Sequence, residues 1–177
     1  MSQNSTMFEV TVLFDGYSKL VDDVMEANCS CTLIKGPKTI IVDTMTAWDK
    51  ERLVEALAQN DVRPEDVEYV VCTHGHADHI GNNNLFTNAE HIVGYSVHRQ
   101  SRFYRDLRKV SGDLFEKQED IADPSIWKEQ SASEYLQKLQ AKMRWLIINT
   151  SDFIVPGHGP MFRVTDTMRK LVECPGE

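Results

Sequence analysis

The chain has 177 residues, 41% of them hydrophobic and 26% charged, which suits one globular domain with a buried core. Its formal net charge of −8 excludes bulk electrostatic attraction to nucleic acid and leaves only a local basic patch for such a role. No apolar run approaches membrane-spanning length, and MSQNSTMFEV at the N-terminus has neither the basic nor the apolar region of a secretory signal.

FEVTVLF (8–14) is β-branched and aromatic and ends at the turn pair Asp15-Gly16, which predicts a first strand. CTLIKGPKTIIVDT (31–44) predicts two strands around Gly36-Pro37, the second ending at Asp43. TAWDKERLVEALAQN (46–60) predicts a helix with Thr46 as N-cap and with Leu53, Val54 and Leu57 on one face. EYVVCTH (68–74) is short and continuously apolar, the pattern of a strand covered on both faces. AEHIVGY (89–95) predicts another strand. HRQSRFYRDLRK (98–109) places Arg99, Arg102, Arg105 and Arg108 at intervals of three with Phe103 and Tyr104 between, which on a helix gives a drifting basic stripe. A solvated helix face balanced by the acidic run 116–123 is the simpler account of that stripe. Residues 125–149 predict a long helix with Leu136, Leu139, Met143 and Leu146 at helical spacing. DFIVPGHGP (152–160) predicts a strand leading into a Pro/Gly turn that presents His158, and a short helix begins near Asp166. Strands, helix and strand in this order, without repeat or linker, predict a single α/β layered domain over residues 1–177. Cys29, Cys31, Cys72 and Cys174 form neither CxxC pairs nor a dense disulfide pattern, so free thiols in a reducing cytosol are expected rather than a Cys29–Cys31 metal clip.

VVCTHGHADHIGNNN (70–84) carries the chemistry. His74, His76, Asp78 and His79 fall within six positions behind the apolar strand. Imidazole suits zinc, iron and manganese, and an adjacent carboxylate adds an oxygen ligand. Gly75 is expected to let the backbone turn sharply and to leave room for an ion. A polar loop that happens to be rich in histidine explains these residue types less well than a metal does.

THGHADH resembles the HxHxDH signature of the metallo-β-lactamase superfamily, residue for residue. IIVDT (40–44) resembles that family's first motif, with Met45 where many members have glycine. SGDLFE (111–116) resembles the motif supplying a metal-bridging aspartate, here Asp113, and VPGHGP (155–160) the motif supplying the last histidine, His158. The resemblance implies an α/β fold, the four-layer αβ/βα sandwich of the family. It implies metal ligands at His74, His76, Asp78, His79, Asp113 and His158, with zinc in two positions and iron or manganese as alternatives. Asp43 would hold the metal loop from behind, whereas for Thr73 and Ser111 ordinary loop hydrogen bonding is expected.

The family also has a histidine in a Pro-Gly turn between the HxHxDH loop and the bridging aspartate, and no such turn occurs here. Only His91 and His98 lie in that interval, neither in that context. An internal deletion, as in a splice variant lacking an exon, accounts for this and implies an incomplete second sheet. The first metal position would then keep His74, His76 and Asp113 and lack one histidine. The second would keep Asp78, His79, His158 and Asp113.

By resemblance the chain is a hydrolase acting through a metal-bound hydroxide that Asp78, as catalytic residue, would orient. The wording around the motifs is most similar to a subfamily associated with endoribonuclease action on histone pre-mRNA. That implies RNA as partner and a cytoplasmic, also nuclear, location, without a membrane. A thioester hydrolase of glyoxalase II type and a catalytically impaired isoform are the alternatives, and a homodimer stays open.

Overall fold

The computed structural model describes residues 7–94, 96–104, 114–115, 117–122 and 134–172. The strands are β1 (Glu9–Phe14), β2 (Tyr17–Val21), β3 (Val24–Asn28), β4 (Cys31–Lys35), β5 (Ile40–Val42), β6 (Tyr69–Cys72), β7 (Glu90–Val93), β8 (Ser96–Arg99), β9 (Arg102–Tyr104), β10 (Phe153–Ile154) and β11 (Phe162–Arg163). The helices are α1 (Lys50–Gln59), α2 (Ala77–Ile80), α3 (Glu134–Thr150) and α4 (Asp166–Leu171).

Seven strands form the main sheet in the order β1-β4-β5-β6-β7-β8-β9. β5, β6 and β7 are parallel and the flanking pairs antiparallel. The parallel centre follows from the apolar runs at 40–42 and 69–72, which need cover on both faces. On one face Leu53 and Leu57 of α1 meet Leu33, Ile41, Val70 and Phe86 in a fully buried core. Each such side chain contributes about 1.5–3 kcal/mol by leaving water. A second core joins Leu114, Phe115, Ile121, Ile148, Ile154, Phe162 and Val164. The buried Arg144 of α3 donates to the carbonyls of Leu114 and Asp120 and lies over the Phe115 ring at 4.5 Å. Among the described residues two further sheets, β2–β3 and β10–β11, have two strands each. No helix among them is long and apolar enough to cross a membrane.

Three expectations change. Residues 96–104 form the hairpin β8–β9 with its turn at Gln100 (φ 54°), so Arg99, Arg102 and Phe103 lie on strands, not on a helical stripe. Arg105 and Arg108 lie outside the described residues, as do Ser111, Asp113 and Cys174. The hairpin β2–β3 is an addition that the polar, weakly alternating run 17–28 did not announce. Thr46 does not cap a helix with its side chain. Its hydroxyl donates to the Asp49 carboxylate at 2.5 Å, and a single 3-10 turn (Ala47–Asp49) leads into α1.

Asp49 ties these parts together. It also accepts from Asn28 Nδ2 at 2.7 Å, joining β3 to the start of α1, and from Arg52 at 2.8 Å. Burial raises its pKa, but the bonds from Thr46, Asn28 and Arg52 outweigh burial and hold it below the usual carboxylate value. A lowered folded-state pKa means stability that is present above the unfolded pKa of about 3.9 and lost as pH falls through the folded value. Asp49→Ala should lower stability by about 1.5–3 kcal/mol in urea titrations at neutral pH, by loss of bonds to a charged group. The gap to the wild type should narrow as the pH is taken below about 4.

Candidate metal centre

The loop between β6 and α2 is anchored from β5. Asp43, almost fully buried, stands just beyond the strand with φ of 57° and donates its own N–H to Val71 O at 2.9 Å. Its Oδ1 accepts from Thr73 N at 2.8 Å, and its Oδ2 accepts from Thr73 Oγ1 at 3.0 Å and from His79 Nδ1 at 2.9 Å. A carboxylate can only accept from an imidazole N–H, so His79 carries its proton on Nδ1 and a lone pair on Nε2. That Nε2 lies 3.5 Å from Asp78 Oδ2.

The loop's return is pinned twice more. Thr44 N donates to His79 O at 2.9 Å, and Gly81 N donates to Met45 O at 2.8 Å. Asn82, fully buried, donates from Nδ2 to Thr44 O and Thr46 O, both at 2.7 Å. A Cβ on Gly81 would collide with the backbone of Met45, Thr46 and Ala47, so glycine is required there. Gly75 does not carry that requirement: it has ample space around its Cα and its φ is outside the left-handed region. Met45 does adopt that region, with φ 59°, which explains why glycine suits the position; its side chain is buried in the core instead.

His158 arrives from the other end of the chain. Ser30 holds its turn: Ser30 N donates to Gly157 O at 2.8 Å, and Ser30 Oγ donates to Gly159 O at 3.1 Å. His158 Nδ1 donates to Asn28 O at 3.2 Å, which leaves its Nε2 with the lone pair. The outcome is one cluster of four rings. His74 and His79 have centroids 4.0 Å apart, His74 and His76 4.3 Å, and His79 and His158 5.4 Å. Ligand atoms of Asp78, His79 and His158 all lie within 4.8 Å of one another. His74 Nε2 and His76 Nδ1 are 2.8 Å apart, on the more exposed side. Asp113 lies outside the described residues.

Two carbonyl- or carboxylate-fixed imidazoles and a half-buried carboxylate are the donor set that zinc, iron or manganese takes, so these residues fit a metal ion. His91 and His98 are elsewhere, on β7 and β8. The sequence reading weighed Cys29 only with Cys31, yet its Sγ lies within 4.8 Å of Asp43 and His79 ligand atoms. Cys29, Cys31 and Cys72 are free and buried; burial, with Asp43 nearby, pushes the first two thiols far up, and burial pushes Cys72 to about 12. As metal-free thiols they pack as neutral groups at neutral pH.

Residues 24–161 match the metallo-beta-lactamase superfamily, and the chain belongs to that superfamily of hydrolases. It is similar to metallo-beta-lactamase domain-containing protein 1 of Xenopus laevis, 36% identical over 195 residues, covering 88% of this chain and 81% of the relative. It is also similar to the Homo sapiens protein of that name, 29% identical over 225 residues, covering 89% and 82%. Both alignments are longer than the whole chain, so each relative has residues opposite gaps here, and the chain is shortened relative to them. A solved Thermotoga maritima structure described as a metallo-beta-lactamase shares the fold, with TM-score 0.59 at 16% identity over 88% of this chain and 99% of that one.

Gly81→Ala should destabilise the protein by about 1–3 kcal/mol through overpacking, whereas Gly75→Ala should leave its thermal midpoint unchanged. Asp43→Asn presents an amide nitrogen to one of its three donors. It should weaken zinc binding about 10–100-fold in competition titration while circular dichroism stays that of the wild type.

Proposed function

We propose that this protein is a metal-dependent hydrolase of phosphodiesters with RNA as substrate class, working from the Asp78–His79–His158 side of the centre. The observation that carries the hydrolase reading is that donor set, with both imidazole tautomers fixed by Asp43 and Asn28. A divalent ion held there would act as a Lewis acid toward the scissile group and toward water. Asp43 keeps the His79 lone pair directed outward. Asn28 does the same for His158 through its main-chain carbonyl. Asp78, half-buried beside His79, supplies the negative charge that favours a cation and an acceptor for a proton from water.

RNA follows from the similarity of the motif wording to the subfamily associated with endoribonuclease action on histone pre-mRNA. A cytoplasmic and nuclear location and zinc as the metal belong to the same reading. A weakened enzyme is favoured over a fully active one by a feature of the sequence: the histidine that the family carries in a Pro-Gly turn between the HxHxDH loop and the bridging aspartate has no counterpart here.

Elemental analysis should find about one zinc per chain, as expected when one closed ligand set survives. That metal should be lost in His79→Ala and His158→Ala and retained in His76→Ala. Cleavage of a single-stranded RNA by the loaded protein, absent after His79→Ala, completes the case. A folded protein that binds no zinc sinks the hydrolase reading, and turnover of S-lactoylglutathione without RNA cleavage replaces RNA by a thioester.

A further inference from the structure

One row of directly opposed residues crosses the main sheet: Leu33, Ile41, Val70, His91, His98 and Phe103, one from each of β4 to β9. The first three are sealed under α1. The last three are aromatic and run out to solvent, ending at Phe103, which is 70% exposed. Their rings form a ladder. His91 and His98 stack with centroids 5.1 Å apart at 16°, and His98 and Phe103 at 5.2 Å and 30°.

Beside the ladder is a pocket of about 360 Å³ lined by Asn83, Asn84, Thr87, His91, His98 and Gln100. Every one of these side chains carries a hydrogen-bonding group. His91 Nε2 donates to Phe86 O at 3.0 Å, so its Nδ1 holds a lone pair, and that buried atom has no hydrogen-bond partner among the described residues. A ligand donor would satisfy that acceptor. Burial, supported by the neighbouring His98, lowers the His91 pKa, so the ring stays neutral and keeps that acceptor at neutral pH. Arg99 and Arg102 stand opposite each other at the end of the same hairpin, both exposed, and place local positive charge on an acidic protein.

We propose that the His91–His98–Phe103 ladder and its polar pocket form a subsite for an unpaired nucleobase of single-stranded RNA, separate from the metal cluster. A nucleobase is flat and offers a π-face to stack and an amino or imino edge to hydrogen-bond. The ladder supplies the first complement and Asn83, Asn84, Gln100 and His91 the second. Arg99 and Arg102 supply the phosphate contact. The pocket is of a size for one base and its sugar rather than for a helix. Asn83 also joins the two sites mechanically. Its Oδ1 accepts from Thr44 Oγ1 at 2.7 Å, and Thr44 in turn holds the His79 carbonyl. This subsite rests on the RNA reading above for its substrate, but on different residues for its binding.

The test is fluorescence anisotropy of a labelled single-stranded RNA octamer, with EDTA present and at low salt, against the whole chain and its variants. The wild type should bind the octamer and bind its duplex more weakly. Phe103→Ala should weaken binding to the single strand roughly five- to a hundredfold, the range for one lost stacking partner. Phe103→Tyr should restore it. Equal binding by wild type and Phe103→Ala, no binding without metal, or a Phe103-dependent self-association in place of RNA binding would each overturn the subsite. Cleavage separates the two readings. RNA cleaved equally well by wild type and Phe103→Ala at low substrate leaves the hydrolase standing without this subsite. Phe103-dependent binding without any cleavage leaves the subsite standing without the hydrolase.

Discussion

The buried carboxylate of Asp43 organises this molecule. A charge so deep in the protein persists only if its lone pairs are satisfied, and Thr73 and His79 satisfy them. Meeting that demand brings the end of β5 to the loop after β6 and orients the His79 ring. The same bonds assign its proton to Nδ1 and its lone pair to the side where Asp78 and His158 stand. The left-handed backbone at Asp43 and Met45, and the absence of a Cβ at Gly81, are the conformational cost of packing two loops this closely.

The second requirement is closure between distant parts of the chain. His158 is 79 residues beyond His79 in sequence yet shares its cluster. Ser30 makes this meeting specific, since its main-chain N–H and its hydroxyl both hold the turn that presents His158. The residues that the relatives carry opposite gaps here are not needed to bring Asp78, His79 and His158 together. On the other side of the cluster His74 and His76 face each other near solvent.

The row from Leu33 to Phe103 shows a single sheet serving two ends. Helix α1 reaches only far enough to seal the aliphatic half, and the aromatic half is left to polar neighbours and water. Burial therefore grades along one row of paired strands, from a fully buried core to an exposed aromatic edge.

Much of this was legible along the chain. Strands 9–14, 31–35, 40–42 and 69–72, helix α1 and the final helix follow from periodicity and turn residues, because those are local properties. The clustering of the loop was legible because its histidines and aspartate are adjacent in sequence, and the turn carrying His158 because Pro and Gly mark it. The hairpin nature of 96–104 was not, since arginines at intervals of three suit a helix and only pairing with β7 selects the strand. Nor was the role of Gly81 over Gly75, which depends on the backbone of residues 45–47 lying against it. The sequence by itself determined which residue types could bind a metal and where the regular elements begin. Only the tertiary structure decided which of them meet, because hydrogen bonds from Asp43, Ser30 and Asn28 act between segments up to 130 residues apart and no local pattern encodes such a distance.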